Sequence, residues 1–128
     1  VATGSLQLVS TLTVTPFSGS PQAGSDITFE NVVQQTLQQT SQQQYMLTTN
    51  TPQVVNFGGL LQATVVQIVV DASVIDIEIT TVDGASQIIP IDAGGAFTWA
   101  CLSKPITAIT LVGQAAQTIN VFVFLGTA

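Results

Sequence analysis

The chain of 128 residues has no arginine, no histidine and a single lysine, Lys104. Each absence excludes a class of function. Nucleic-acid binding needs several cations placed on phosphates, and one lysine cannot supply them. Binding to an anionic membrane surface is excluded on the same ground. Without histidine, the commonest general base and the commonest transition-metal ligand are both missing. Cys101 is the one cysteine, so no internal disulfide and no thiolate zinc site can form. Charged residues make up 6% of the chain, against about 25% in an ordinary domain. No uninterrupted hydrophobic run exists either. The most apolar stretch, residues 60–79, holds Gln62, Thr64, Gln67, Asp71, Asp76 and Glu78, too many polar groups for a hydrocarbon location. The first five residues lack the positive end and apolar core of a signal peptide. The expectation is removal of a Met before Val1, with processing of a longer precursor as the alternative.

Neutral polar side chains take the place of charge. There are 18 Thr, 15 Gln, 9 Ser and 4 Asn. Such groups form hydrogen bonds without counter-ions, and a surface made of them can pack against copies of itself without desolvating like charges. Seven acids, Asp26, Glu30, Asp71, Asp76, Glu78, Asp83 and Asp92, give a formal charge of -6. Hydrophobic residues at 46% exclude a disordered chain.

The dominant period is two. Residues 5–15 place Leu6, Leu8, Leu12 and Val14 on one face and mostly Gln and Thr on the other, the pattern of a half-buried strand. Residues 16–24 are rich in Pro, Gly and Ser and read as loop. Residues 26–33 alternate again. Residues 34–44 contain seven Gln. With Leu37 as the one apolar residue, a helix there would have no face to bury, so the stretch is expected to be an extended or irregular connector. Gln-rich segments also pair as strands between chains.

Strands then follow closely, at 45–49, 53–57, 62–70, 74–82, 86–91, 96–101, 106–112 and 118–125. Residues 62–70 are apolar on both faces and are expected to be covered twice. Asp83-Gly84 and Asp92-Ala93-Gly94-Gly95 are turns. About eight strands with short turns and no long helix predict an all-β, antiparallel β-sandwich or jelly roll over residues 45–128. Residues 1–44 would add N-terminal strands and the Gln-rich connector, or an exchanging arm.

No catalytic constellation assembles. Asp76 and Glu78 share a strand face, which is the spacing of a solvated face rather than of a calcium loop. Ser103 and Lys104 sit side by side on a short loop and do not make a nucleophile–base pair. Cys101 is in phase with Phe97 and Trp99 and is expected to act as a small buried hydrophobe. The glycine pairs lack a phosphate-loop context. The expectation is no enzyme, no cofactor and no metal. One feature points outward: in the last strand Phe122 and Phe124 lie opposite Ile119, Val121, Val123 and Leu125. Two Phe side chains on an outer face make an interface patch, unless the N-terminal segment covers them.

At residues 51–60 (TPQVVNFGGL), 88–97 (IIPIDAGGAF) and 124–128 (FLGTA) the chain resembles the small β-sandwich virion proteins of tailed bacteriophages. In those proteins a strand ends near a Gly pair, a later hairpin carries a Pro-x-x-x-Gly-Gly-x-Phe turn, and the chain stops after a hydrophobic strand. The resemblance covers residues 45–128. It implies a non-enzymatic virion protein, a capsid decoration (cement) protein or another head or tail component, assembled as a homotrimer on the major capsid or other virion proteins. Leu6, Leu8, Leu12, Val14, Phe122 and Phe124 are then the interface candidates, with the N-terminal segment as a donated strand. The competing expectation is a module that binds carbohydrate or a host surface, with Tyr45 and Trp99 as stacking residues.

Overall fold

The computed structural model describes residues 3–14, 27–48, 51–114 and 118–128. The loop expected at residues 16–24, the tip expected at Ala115-Ala116 and the side chain of Val14 lie outside the described residues. Ten strands and no helix occur among the described residues. They are β1 (Gly4–Val14), β2 (Ile27–Leu37), β3 (Gln39–Leu47), β4 (Gln53–Val54), β5 (Val65–Val70), β6 (Ile75–Thr81), β7 (Ser86–Ile91), β8 (Ala96–Ala100), β9 (Ile106–Gly113) and β10 (Ile119–Thr127). The protein is all-β, as the period-two pattern predicted, with three antiparallel sheets.

The chain divides into two compact units. One, Ser5–Thr36, is built on the pairing of β1 with β2. The other, Leu37–Ala128, carries two four-stranded sheets, β3-β10-β5-β8 and β4-β9-β6-β7. Their pairing follows one rule. β3 pairs with β10, β4 with β9, β5 with β8 and β6 with β7. The eight strands thus run as one long antiparallel hairpin whose closed end is the β6–β7 turn. Two further pairings, β10 with β5 and β6 with β9, join the parts of that hairpin into the two sheets.

Alternation along each strand decides which side chains enter the core. Ile75, Ile77 and Ile79 of β6 are buried, while Asp76 and Glu78 face outward. Val66, Ile68 and Val70 of β5 join Ile119, Val121, Val123 and Leu125 of β10 in the same hydrophobic cluster, with Ile106, Ile109 and Leu111 of β9 from the other sheet. One core shared by two sheets is a sandwich-like arrangement.

The turns use the residues the sequence marked. Gly84, at φ +85, lets the chain reverse between β6 and β7, with its N–H donating to Thr81 O at 2.9 Å. The Asp83 carboxylate accepts from the Thr81 hydroxyl and from Ala85 N. Gly94, at φ +73, does the same work between β7 and β8. A left-handed φ is inexpensive for glycine alone.

Three expectations need correction. The Gln-rich stretch is not a connector: its first residues end β2, and Gln39–Leu47 is strand β3, paired along its whole length with β10. A distant partner supplies the reason that local sequence did not. Residues 62–70 are not covered on both faces, because Val69 is exposed on the outer one. The fourth strand is shorter than expected. Although Val55 N still donates to Ile109 O at 2.9 Å, Asn56 N turns to the Tyr45 hydroxyl.

Candidate functional site

The outer face of the β3-β10-β5-β8 sheet is the surface on which the sequence-marked residues meet. None of these four strands contains a charged residue. The register sets its rows. Gln44, Phe122, Val69 and Ala96 lie across the sheet in one row. Gln42, Phe124, Gln67 and Thr98 form the next. Met46 stands opposite Asn120 at one end. Phe122 is 47% exposed, Met46 and Val69 are exposed, and Phe124 is half-buried. Between the glutamines and the two Phe rings runs a shallow groove of about 350 Å³.

Phe122 stays exposed because β10 is an inner strand of its sheet whose inward positions are already filled by Val121 and Val123. Its neighbours in the row, Gln44 and Val69, are themselves exposed. The far end of this face is closed. Leu37 is buried, and a Cβ placed on Gly126 would come 2.8 Å from its Cδ1. Val65, which pairs with Gly126, is also buried.

The other sheet carries charge on its outer side, at Asp76 and Glu78 of β6. They sit opposite Pro90 and Ile88 of β7 and Val112 and Thr110 of β9. No cluster of three or more potential metal ligands occurs among the described residues. Asp71, at the end of β5, accepts from Asn120 N and Asn120 Nδ2, both at 2.8 Å. The side-chain amide of Asn120, ahead of the backbone N–H groups, holds the Asp71 carboxyl below its ordinary value.

The aromatic candidates are engaged in the fold. Tyr45 packs against the core, and its hydroxyl donates to Gln43 Oε1 while accepting from Asn56 N at 2.8 Å. Gln43 in turn donates through Nε2 to Ser41 Oγ at 3.0 Å and to Asn56 O. Trp99 also packs against the core and donates its indole N–H to Lys104 O at 3.1 Å. The cleft beside Trp99 measures about 120 Å³, below the ~300 Å³ where small-molecule pockets begin.

Residues 101–104 gather the remaining reactive groups. Cys101 is half-buried rather than in the core, as are Phe97 and Trp99, in phase with it on β8, an edge strand of its sheet. Its Sγ lies 3.5 Å from Ser103 Oγ. The Ser103 hydroxyl, then the Lys104 backbone N–H, lowers the thiol pKa. Lys104 Nζ is 3.8 Å from Asp83 Oδ2, and both side chains are well exposed, so the pair adds little stability.

In the other unit Leu6 and Leu8 are half-buried and Leu12 is exposed. Sequence reasoning marked the Leu face of β1 as an interface and set Phe29 on the apolar side of residues 26–33, but named neither Phe29 nor Val9 as an interface residue; both are exposed on the same unit. Their signal was present: each is a large apolar residue in a ribbon that has one charged residue, Glu30. No helix of the described residues is long and apolar enough to cross a membrane. No family model, no curated protein and no solved structure matches the chain.

Proposed function

We propose that this protein is a non-enzymatic structural subunit of a virus particle, a jelly-roll protein that assembles symmetrically and decorates or stabilises a phage capsid. The observation that carries the reading is strand order. β3-β10-β5-β8 facing β4-β9-β6-β7 is the order obtained by rolling up one eight-stranded antiparallel hairpin, with two Greek keys. Jelly rolls of this kind build viral capsids and lectin domains. Fold by itself assigns no function; the surface chooses between these two.

Two features of that surface favour assembly. The β3-β10-β5-β8 sheet presents Met46, Val69, Phe122 and Phe124 with no charge among its strands. Interface cores are likewise depleted in charge and enriched in aromatics and Met. A lectin would need a free aromatic platform, whereas the Tyr45 and Trp99 rings are half-buried and packed against the core. The mechanism is burial of apolar surface between subunits, or between a subunit and the shell, which adds to shell stability by mass action. The partners are further copies of the chain, as a trimer on the resemblance to phage decoration proteins, and other virion proteins.

The test is Phe122→Asp. A charge at the centre of the apolar row cannot be desolvated in an interface, yet it faces outward in the isolated subunit. The substitution is expected to dissociate the oligomer, measured as mass in solution, while leaving the far-ultraviolet circular dichroism unchanged. An oligomer of unaltered mass and dilution behaviour counts against the assignment.

A further inference from the structure

The two four-stranded sheets have four edge strands, and three of them are blunted. β4 has two residues, β8 has five, and β7 carries Pro90, which has no N–H to offer. β3 differs. It is nine residues long, holds no proline, glycine or charge, and pairs with β10 without a shift of register. Its other edge takes no strand among the described residues.

Ladder parity shows what that edge presents. Asp71 N donates to Asn120 O at 3.2 Å, so the even-numbered residues of β10 bond toward β5 and the odd-numbered ones toward β3. Through the register, Ser41, Gln43 and Tyr45 spend their backbone groups on Leu125, Val123 and Val121. Thr40, Gln42, Gln44 and Met46 turn theirs to the open edge, and no backbone bond among the described residues meets them there. The same four side chains are exposed. The Gln42 and Gln44 amides make no hydrogen bond among the described residues, whereas Gln43 is held by Ser41 and Asn56.

A second β3 completes this edge in one register. Run antiparallel with Gln43 facing its own counterpart, Gln42 meets Gln44 of the second copy and Thr40 meets Met46. All four open residues of each strand then fall in hydrogen-bonded pairs, with about eight N–H···O bonds in total. Moving the axis to Gln42 or Gln44 leaves one open residue of each strand without a partner in β3. The side chains select the same partner. A primary amide both donates and accepts, so Gln42 and Gln44 of two copies answer each other twice across the axis. An apolar strand would leave both amides unanswered, and a lysine or a carboxylate would answer only half of each. The acids Asp76 and Glu78 lie on the other sheet and do not oppose the approach.

We infer that β3 is a self-pairing edge: two copies of this chain join β3 to β3 about a twofold axis at Gln43 and merge their four-stranded sheets into one of eight strands. Main-chain hydrogen bonds, rather than buried area, hold such a joint. It uses the same edge of both copies and therefore closes on itself. The inference rests on the reading of the protein as an assembling subunit and extends it, because the joint makes the uncharged outer faces of two copies continuous.

Residue-resolved amide hydrogen exchange of the full chain, at high and low protein concentration, tests it. The Thr40, Gln42, Gln44 and Met46 amides are expected to exchange about tenfold or more slowly at high concentration. The Ser41, Gln43 and Tyr45 amides, bonded to β10, stay protected at both and report that the strand is folded. Gln42→Lys/Gln44→Lys and Gln42→Glu/Gln44→Glu each set like charges opposite one another across the axis. Either variant alone should lose the concentration dependence, and an equal mixture should regain it, because Lys meets Glu only between unlike copies. Even-numbered amides that ignore concentration in the wild type, a dependence that survives in either variant alone, or a mixture that does not regain it overturns the inference. The two proposals separate. If Phe122→Asp dissociates the oligomer while the even-numbered β3 amides ignore concentration, the outer-face contact stands and the edge contact falls. If Phe122→Asp leaves the mass unaltered while those amides follow concentration and the mixture rescues, the reverse holds.

Discussion

Asp71 shows how a single exposed carboxylate ties two strands. It accepts twice from Asn120, so its folded-state pKa lies below the ordinary 3.8. Asp83 is lowered in the same direction, first by the Thr81 hydroxyl and then by Ala85 N. A depressed carboxylate contributes stability that is fully present above its unfolded value and is lost as pH falls through its folded one. Stability should therefore be flat from neutral pH down to the carboxylate range and decline below it. Asn120→Ala should move the Asp71 midpoint up toward 3.8 in an NMR titration of its carboxyl carbon; a midpoint that stays put contradicts the account. Tyr45→Phe removes a donor and an acceptor between β3 and the chain after β4. It should cost about 1–3 kcal/mol, read as a lowered midpoint in urea with an unchanged slope.

At the scale of the element, alternation carried most of the information. Ile75, Ile77 and Ile79 read as inward from the sequence, and all three are buried. Ile77→Ala should accordingly cost about 2–5 kcal/mol, whereas Glu78→Ala on the same strand should stay within about 0.5 kcal/mol; denaturant unfolding of the pair checks both. Turns were legible for the same local reason, since Gly84 and Gly94 supply the positive φ that the two reversals need. Strand β3 was not legible, because Gln43 points inward and is satisfied by Ser41 and Asn56 rather than by apolar packing. Its pairing with β10 joins residues about eighty positions apart, which no local window contains. Gly58 belongs to the same junction. It has φ +63, and a Cβ there would meet Ser41 Oγ at 2.8 Å. Gly58→Ala should destabilise by about 1–2 kcal/mol through the left-handed φ, with the Ser41 contact adding to it.

For the molecule as a whole, the distribution of charge matters more than its sum. The formal charge is -6, yet one four-stranded sheet has no charged residue, and β6 of the other holds Asp76 and Glu78. Copies of a like-charged protein can therefore meet through the neutral sheet without bringing those acids together. The sequence already marked Phe122 and Phe124 for this face. It could not show Met46, Val69, Gln42 and Gln44 beside them, because that neighbourhood is a product of strand order. The most direct measurement is the mass of the full chain by light scattering through a dilution series, wild type beside Phe122→Asp. The account predicts a closed oligomer for the wild type and a shift toward monomer for the variant at the same concentration. A wild-type monomer at every concentration, or two proteins of identical mass throughout, would contradict assembly through the uncharged sheet.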